Sequence, residues 1–146
     1  MGIGGGMKKY LGLTLALLIP MGAYSKPILD DNVLMQKSVN DFFSTYEDSG
    51  MSGAISQIDA CYKTKSNEKL YCFYMDYTAR IFDSFMTESF NSLNNGNLTI
   101  QDYLDDEKFS ERSFKYIYLP NNTSFHETNS HLNNLYYLLL NLIEEH

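Results

Sequence analysis

Apolar side chains recur every three or four residues through most of the chain, which is the spacing of one face of an α-helix. The longest run lies between residues 72 and 93 and consists of Cys72, Met75, Ala79, Phe82, Met86, Phe90 and Leu93. Similar runs occupy residues 31–47 and 132–142. The pattern therefore predicts that long helices form most of the structure.

Polar and glycine-containing segments separate these runs. Residues 50–53 should end the first helix, with Ser52 as the cap of a second helix that carries Ile55 and Ile58. Residues 94–96 offer a left-handed stop after the longest run. Ser124 and Glu127 have the spacing of a capping box in front of the last helix.

Residues 109–119 are the least regular part of the pattern. Tyr116, Ile117 and Tyr118 suit a strand as well as a helix, and Pro120 ends the segment. We predict a helix here, because the rest of the chain is helical. The expected fold is all-α: one bundle of four to five helices over residues 26–146, with no second domain.

The first 25 residues predict a leader and signal peptide. Lys8 and Lys9 precede ten mainly apolar residues, 10–19, and Ala23 and Ser25 give the small positions of a cleavage site. Ten residues span about 15 Å as a helix, which is half the hydrocarbon thickness of a bilayer. We therefore expect a periplasmic or secreted protein without a stable membrane anchor.

The chain is acidic, with 11 Lys and Arg against 18 Asp and Glu, and a formal charge of −7. Loss of Lys8 and Lys9 would leave 9 − 18 = −9 on the mature domain. A nucleic-acid partner is not expected, because binding phosphates needs a basic surface. The charge favours a cationic partner instead.

Cys61 and Cys72 are the two cysteines of the chain. An even number of cysteines in an exported protein predicts a disulfide. On one straight helix they would lie about 16 Å apart, beyond the reach of a bond, so the chain must turn between them. The polar residues 63–67 supply that turn, and Asn67 is the expected cap of the next helix.

Catalytic and metal-binding patterns are missing from the sequence, so we expect neither an enzyme nor a cofactor. His126 and His131 are five residues apart, on different sides of a helix, and are predicted to lie at the surface. Residues 91–102 have the outline of an EF-hand, but Leu93 and Asp102 occupy positions where calcium needs other ligands. No metal site is predicted, and an interhelical turn explains that segment.

Aromatic side chains off the main stripe of the long helix are the candidate partner-binding residues. The aromatic residues are Tyr71, Phe73, Tyr74, Tyr77 and Phe85, and the charged pair Asp76 and Arg80 shares the helix. One interpretation is an interface for a protein partner or for a second copy of the chain. The other is a central helix that neighbours pack on both sides. Asp76 and Arg80 have the i,i+4 spacing of a surface ion pair.

The segment Cys61 … Cys72-Phe73-Tyr74-Met75-Asp76 resembles small exported immunity proteins of the type VI secretion amidase class, over about residues 52–86. The glycine that these proteins often carry after the cysteine-aromatic stretch is replaced here by Thr78 and Ala79. The resemblance implies a periplasmic protein that plugs the cleft of a cell-wall amidase, often as a dimer. It assigns no individual inhibitory residue.

The expected function is therefore that of an exported, non-enzymatic binding protein that neutralises a toxin or cell-wall hydrolase by contact. An alternative is an acid- or stress-related chaperone-like helical protein, whose carboxylates protonate at low pH and expose apolar faces. A hydrolase is the third hypothesis and would need a convergent acid–base pocket.

Overall fold

A computed structural model describes residues 27–64 and 67–146, and the predicted signal peptide lies outside these ranges. Four α-helices follow in order: α1 (Asn32–Thr64), α2 (Lys69–Asn94), α3 (Asp106–Ser113) and α4 (Phe125–Glu144). A 3-10 turn, Asp102–Leu104, precedes α3, and a π-helical turn, Phe114–Tyr118, continues it. No strand occurs in the described ranges, so the prediction of an all-α fold is confirmed.

Helix α1 is sharply kinked at Gly50, where φ is 67° and ψ is −171°. This backbone region is essentially restricted to glycine. The kink brings the side chain of Thr45 into hydrogen-bond contact with that of Gln57, although a straight helix would separate them by about 18 Å. The predicted break between two helices is therefore present, with Gly50 rather than Ser52 as the residue that leaves the helical conformation.

Helix α2 runs through the centre of the bundle. Residues 71–79 are all buried, so this part of the helix is enclosed on every side. Its buried neighbours include Met35, Val39 and Phe42 from α1 and Leu135 and Leu139 from α4. The core is therefore built around the first half of α2.

The predicted disulfide joins the end of α1 to the start of α2. The Cys61 and Cys72 Cα atoms are 5.7 Å apart and the sulfurs are bonded. The predicted cap of α2 is wrong: Glu68, not Asn67, holds the N-cap position, and no side chain caps the helix there.

Most of the predicted helix ends and turns are confirmed. Ser124 and Glu127 form the capping box of α4. Asn95 ends α2 in the left-handed conformation, with φ of 47°. The Asn91 side chain bonds both the N–H and the carbonyl oxygen of Leu98 at 2.8 Å, so it holds a plain interhelical turn rather than a metal ion.

Residues 109–119 are helical, as predicted, but the helix changes type within them. The Leu119 N–H donates to the Phe114 carbonyl oxygen at 2.8 Å, which is the i→i+5 bond of a π-helix. Ile117 and Tyr118 are thereby buried, whereas Phe114 and Leu119 remain exposed.

Candidate interaction surface

Four of the five aromatic residues predicted to meet a partner lie in the core, and only Phe85 is exposed. Tyr71, Phe73, Tyr74 and Tyr77 are all buried. Phe73, for example, has its ring 6.1 Å from that of Phe109 of α3. These side chains form no surface, and the alternative interpretation of a central helix packed on both sides describes the structure.

Asp76 and Arg80 do not pair with each other, so the predicted i,i+4 ion pair is wrong. The buried Asp76 carboxylate accepts two hydrogen bonds of 2.8 Å from Arg112 of α3 and one of 3.1 Å from the Tyr62 hydroxyl of α1. Arg80 instead forms an ion pair with Asp106. Helix α3 crosses α2 here and supplies the partners of both Asp76 and Arg80. Together with Tyr62 of α1, these contacts connect three helices.

Burial dominates the electrostatics of this network. Loss of solvent raises the pKa of Asp76, although hydrogen bonds and charge from Arg112 oppose the shift. The Arg112 guanidinium lies 3.7 Å from the ring centroid of Tyr103, which covers it from the other side. The network therefore holds the helices together inside the bundle.

His131 is not the surface histidine that its spacing suggested. Its Nε2 lies 3.0 Å from both carboxylate oxygens of Asp30, and its Nδ1 lies 2.9 Å from the Tyr118 hydroxyl. The Tyr74 hydroxyl donates to Asp30 at 2.7 Å. Partial burial opposes ionisation of Asp30, yet the hydrogen bonds from His131 and Tyr74 lower its pKa. The start of the described chain is thus tied to α4.

This Asp–His–Tyr chain resembles a proton relay, but the tyrosine hydroxyl at its end is out of reach of a substrate. Tyr118 is completely buried, and burial raises its pKa. His126 is exposed, and His146 stacks on the ring of Phe43. Among the described residues, no group of three or more His, Cys, Asp or Glu side chains is placed to hold a metal ion.

Exposed apolar side chains occur at several places in the described residues, and at the far end of α2 they continue the same stripe that forms the core. Cys72, Met75 and Ala79 are fully buried. Further along the stripe, the exposed fraction is 45% at Met86 and 83% at Leu93. We call residues 85–94 the α2 tip.

The remaining large apolar side chains at this end are exposed as well. Phe90 lies on the stripe, Phe85 lies on its flank, and Leu98 follows in the turn that Asn91 holds. The α2 tip therefore presents a cluster of aromatic and aliphatic groups.

The tip is uncovered because α1 turns away before α2 ends. Phe42, Phe43 and Tyr46 of α1 pack their rings against Phe82, with centroids 5.0–5.7 Å apart. Gly50 then kinks α1, whereas α2 continues to Asn94, three turns beyond Phe82. The length of α2 exceeds the length of helix available to cover it.

Three long segments, one of which contains the α2 tip, carry acidic groups and no Lys or Arg. Residues 38–62, 81–107 and 116–146 contain no Lys or Arg at all. The cations of the described chain lie outside these segments, and several are paired, as in Lys63–Asp59 and Arg112–Asp76. The charge of the domain is therefore unevenly distributed along it.

Sequence reasoning missed the α2 tip because the spacing of its apolar residues is identical to that of the core. Two signals were present nevertheless. The stripe of α2 extends past the length that its neighbours can cover, and residues 81–107 lack Lys and Arg. Neither signal locates a surface until the kink in α1 is known.

No helix in the described ranges combines the length and the hydropathy that crossing a membrane requires. Comparisons with protein families, with curated proteins and with solved structures find no match for this chain.

Proposed function

We propose that this chain is an exported, non-enzymatic binding protein that neutralises a toxin or cell-wall hydrolase by direct contact. The observation that carries the proposal is the uncovered apolar stripe of the α2 tip, with Met86, Phe90 and Leu93 exposed. Contiguous exposed apolar groups on a small domain mark interaction sites, and aromatic and Met side chains are enriched at interface cores.

The disulfide supports export. Cys61 and Cys72 form a bond with ordinary Cα spacing, and such bonds persist in oxidising compartments such as the periplasm. The predicted signal peptide agrees with that location. Both observations support the proposal that the mature, oxidised protein acts in the periplasm or outside the cell.

The acidic surroundings of the α2 tip fit the expected partner. Toxins and wall hydrolases that act on the anionic envelope benefit from cationic surfaces, and complementary charge speeds encounter and excludes wrong partners. The absence of Lys and Arg from residues 81–107 provides such complementarity.

To test the proposal, the mature, oxidised domain is used to capture a partner protein from the envelope fraction. The activity of the captured partner is then measured with and without the domain. We expect one stoichiometric partner whose wall-hydrolysing or toxic activity is suppressed by the wild type. The double variant Met86→Gln, Phe90→Gln should lose both capture and suppression. The matched variant Phe125→Gln, Tyr137→Gln, which alters exposed apolar groups on α4, should keep both.

Three outcomes would contradict the proposal. One is the absence of any stoichiometric partner, and another is a captured partner whose activity is unaffected by the domain. The third is promiscuous retention of many unfolded proteins, which would favour a chaperone-like protein.

A further inference from the structure

We infer that the α2 tip binds a basic amphipathic helix of the partner protein. This inference rests on the proposed function and assigns the chemistry of the contact. The partner helix would lie along the exposed part of the stripe and extend the packing that α1 provides for the first half of α2.

The apolar geometry of the tip suits a helix. Met86, Phe90 and Leu93 follow one another at steps of four and three, which places them on one face of α2. Residues 85–94 span about 15 Å, the length of three helical turns. Helices that dock on such a stripe present their own apolar residues at i, i+3, i+4 and i+7.

The Phe82 contacts show how the stripe is used where it is covered. Its ring meets the edges and faces of Phe42, Phe43 and Tyr46, so three aromatic side chains of one helix pack on a single position of α2. Met86 and Phe90 continue the same face, but both side chains are nearly half exposed. Within the described chain, no helix covers them as α1 covers Phe82. A partner helix would cover them.

Acidic groups border the stripe on one side through the segment that follows α2. The Gln101 N–H donates to the Asp83 carboxylate at 2.7 Å, which holds this segment against the flank of α2. Asp102 follows directly in the sequence, and Glu88 is exposed on the α2 tip itself.

Acidic groups also border the covered end of the stripe. Glu47 and Asp48 directly follow Tyr46, whose ring contacts Phe82. Glu144 and Glu145 directly precede His146, which stacks on Phe43 beside Phe82. An occupant of the tip therefore meets Glu88 at its apolar contact and lies next to a stretch of α2 whose neighbouring segments are rich in carboxylates.

This charge pattern selects the occupant. A second copy of the chain would bring the same carboxylates to the contact, and like charges across an interface oppose association. A helix with Lys or Arg beside its apolar stripe would place each cation near a carboxylate. We therefore assign the site to a basic helix of a different protein.

Two synthetic peptides of equal length and helical pattern provide the test on the mature, oxidised domain. One contains only Leu and Lys, and the other has Glu in place of every Lys. We expect the Leu–Lys peptide to bind and the Leu–Glu peptide not to bind. Binding of the Leu–Lys peptide should weaken by about tenfold or more between low and high salt, because salt screens exposed charges.

The variants locate the peptide on the domain. Met86→Gln, Phe90→Gln should weaken Leu–Lys binding at least about tenfold through loss of buried apolar contact, whereas Phe125→Gln, Tyr137→Gln should leave it unchanged. Thermal unfolding of both variants checks that each is folded.

The inference is overturned if neither peptide binds, if both bind equally, or if the two double variants weaken binding equally. Partner capture separates these failures from failure of the proposed function. If peptides fail but capture still depends on Met86 and Phe90, only the assignment of a basic helix is wrong. If capture fails as well, the proposed function is wrong.

Discussion

The apolar stripe of α2 has two environments along its length. From Cys72 to Ala79 it is enclosed by α1 and fully buried, whereas at Met86, Phe90 and Leu93 it faces solvent. Both parts consist of apolar residues at the same helical spacing. Periodicity therefore reports which residues share a face of a helix, and only the neighbouring helix decides whether that face becomes core or interface.

The two parts also differ in their charges. The covered half contains the buried Asp76, which Arg112 and Tyr62 satisfy from two other helices. The α2 tip contains no cation and is bordered by carboxylates. The first arrangement joins parts of one chain, and the second remains available to another molecule. The predictions below test this division.

The largest effect is expected from Arg112→Met, which removes the hydrogen-bonded counter-charge of the buried Asp76 carboxylate and leaves only the charge of Arg80 and the Tyr62 hydrogen bond. We expect a loss of about 3–5 kcal/mol at neutral pH, measured by urea unfolding. The control Lys63→Met removes the exposed pair with Asp59 and should leave the free energy of unfolding nearly unchanged.

The loss in Arg112→Met should depend on pH. Burial already raises the pKa of Asp76, and removing Arg112 removes the hydrogen bond and charge that lower it. The folded state then retains a proton that the unfolded state releases above its ordinary pKa of 3.8. Stability therefore falls as pH rises through this window and recovers as pH falls. An equal loss at pH values of about 4.5 and 7 would contradict this account.

Met75 and Met86 provide a matched pair on one stripe. Met75→Ala should destabilise the fold by about 2–5 kcal/mol, because it removes fully buried atoms and leaves a cavity. Met86→Ala should change stability by no more than about 0.5 kcal/mol. Comparable losses in chemical denaturation would show that the α2 tip belongs to the core.

The disulfide holds the covered end of α2 against α1. Replacing Cys61 and Cys72 by Ala should cost about 2–3 kcal/mol, because the unfolded chain gains the entropy of an open 11-residue loop. Thermal unfolding measures the loss, and reduction of the wild type should reproduce it. If the Ala variant loses less stability than the reduced wild type, the additional loss in the reduced protein would point to strain between its two free thiols.

The corner of α1 decides where coverage of α2 ends. Gly50→Ala should cost about 1–3 kcal/mol, because a Cβ is strained at φ of 67° although it meets no atom within 4 Å. Ser52→Ala, two residues further in helical backbone, is the control and should change stability by less than about 0.5 kcal/mol. Equal melting temperatures for the two variants would refute a backbone role for Gly50.

Much of the fold could be predicted from the sequence because the signals were local. The capping box of Ser124 and Glu127 and the left-handed Asn95 depend on a few neighbouring residues. The disulfide followed from the even cysteine count of an exported chain, and the reach between Cys61 and Cys72 then required a turn. A helix was also predicted over residues 109–119, but the π-helical hydrogen bonding within it was not.

The partners of the charged residues could not be predicted because they are distant in sequence. Asp76 has Arg80 four residues away, yet its partner is Arg112, 36 residues along the chain. His131 contacts Asp30 across 101 residues. Local spacing favoured an i,i+4 pair and a surface histidine, and tertiary packing placed α3 and the start of the chain where stronger contacts form.

The sequence by itself determined the helices, the bridge between the cysteines and the acidic character of the domain, because these depend on residue type and on short-range geometry. Only the tertiary structure decided which aromatic residues are core and which are exposed. Phe73 and Tyr77 are enclosed because α3 and α4 pack on them, whereas Tyr71 contacts Asp41 of α1. Phe90 is exposed because α1 bends at Gly50. Burial depends on what lies across the helix face, and a one-dimensional pattern carries no information about that neighbour.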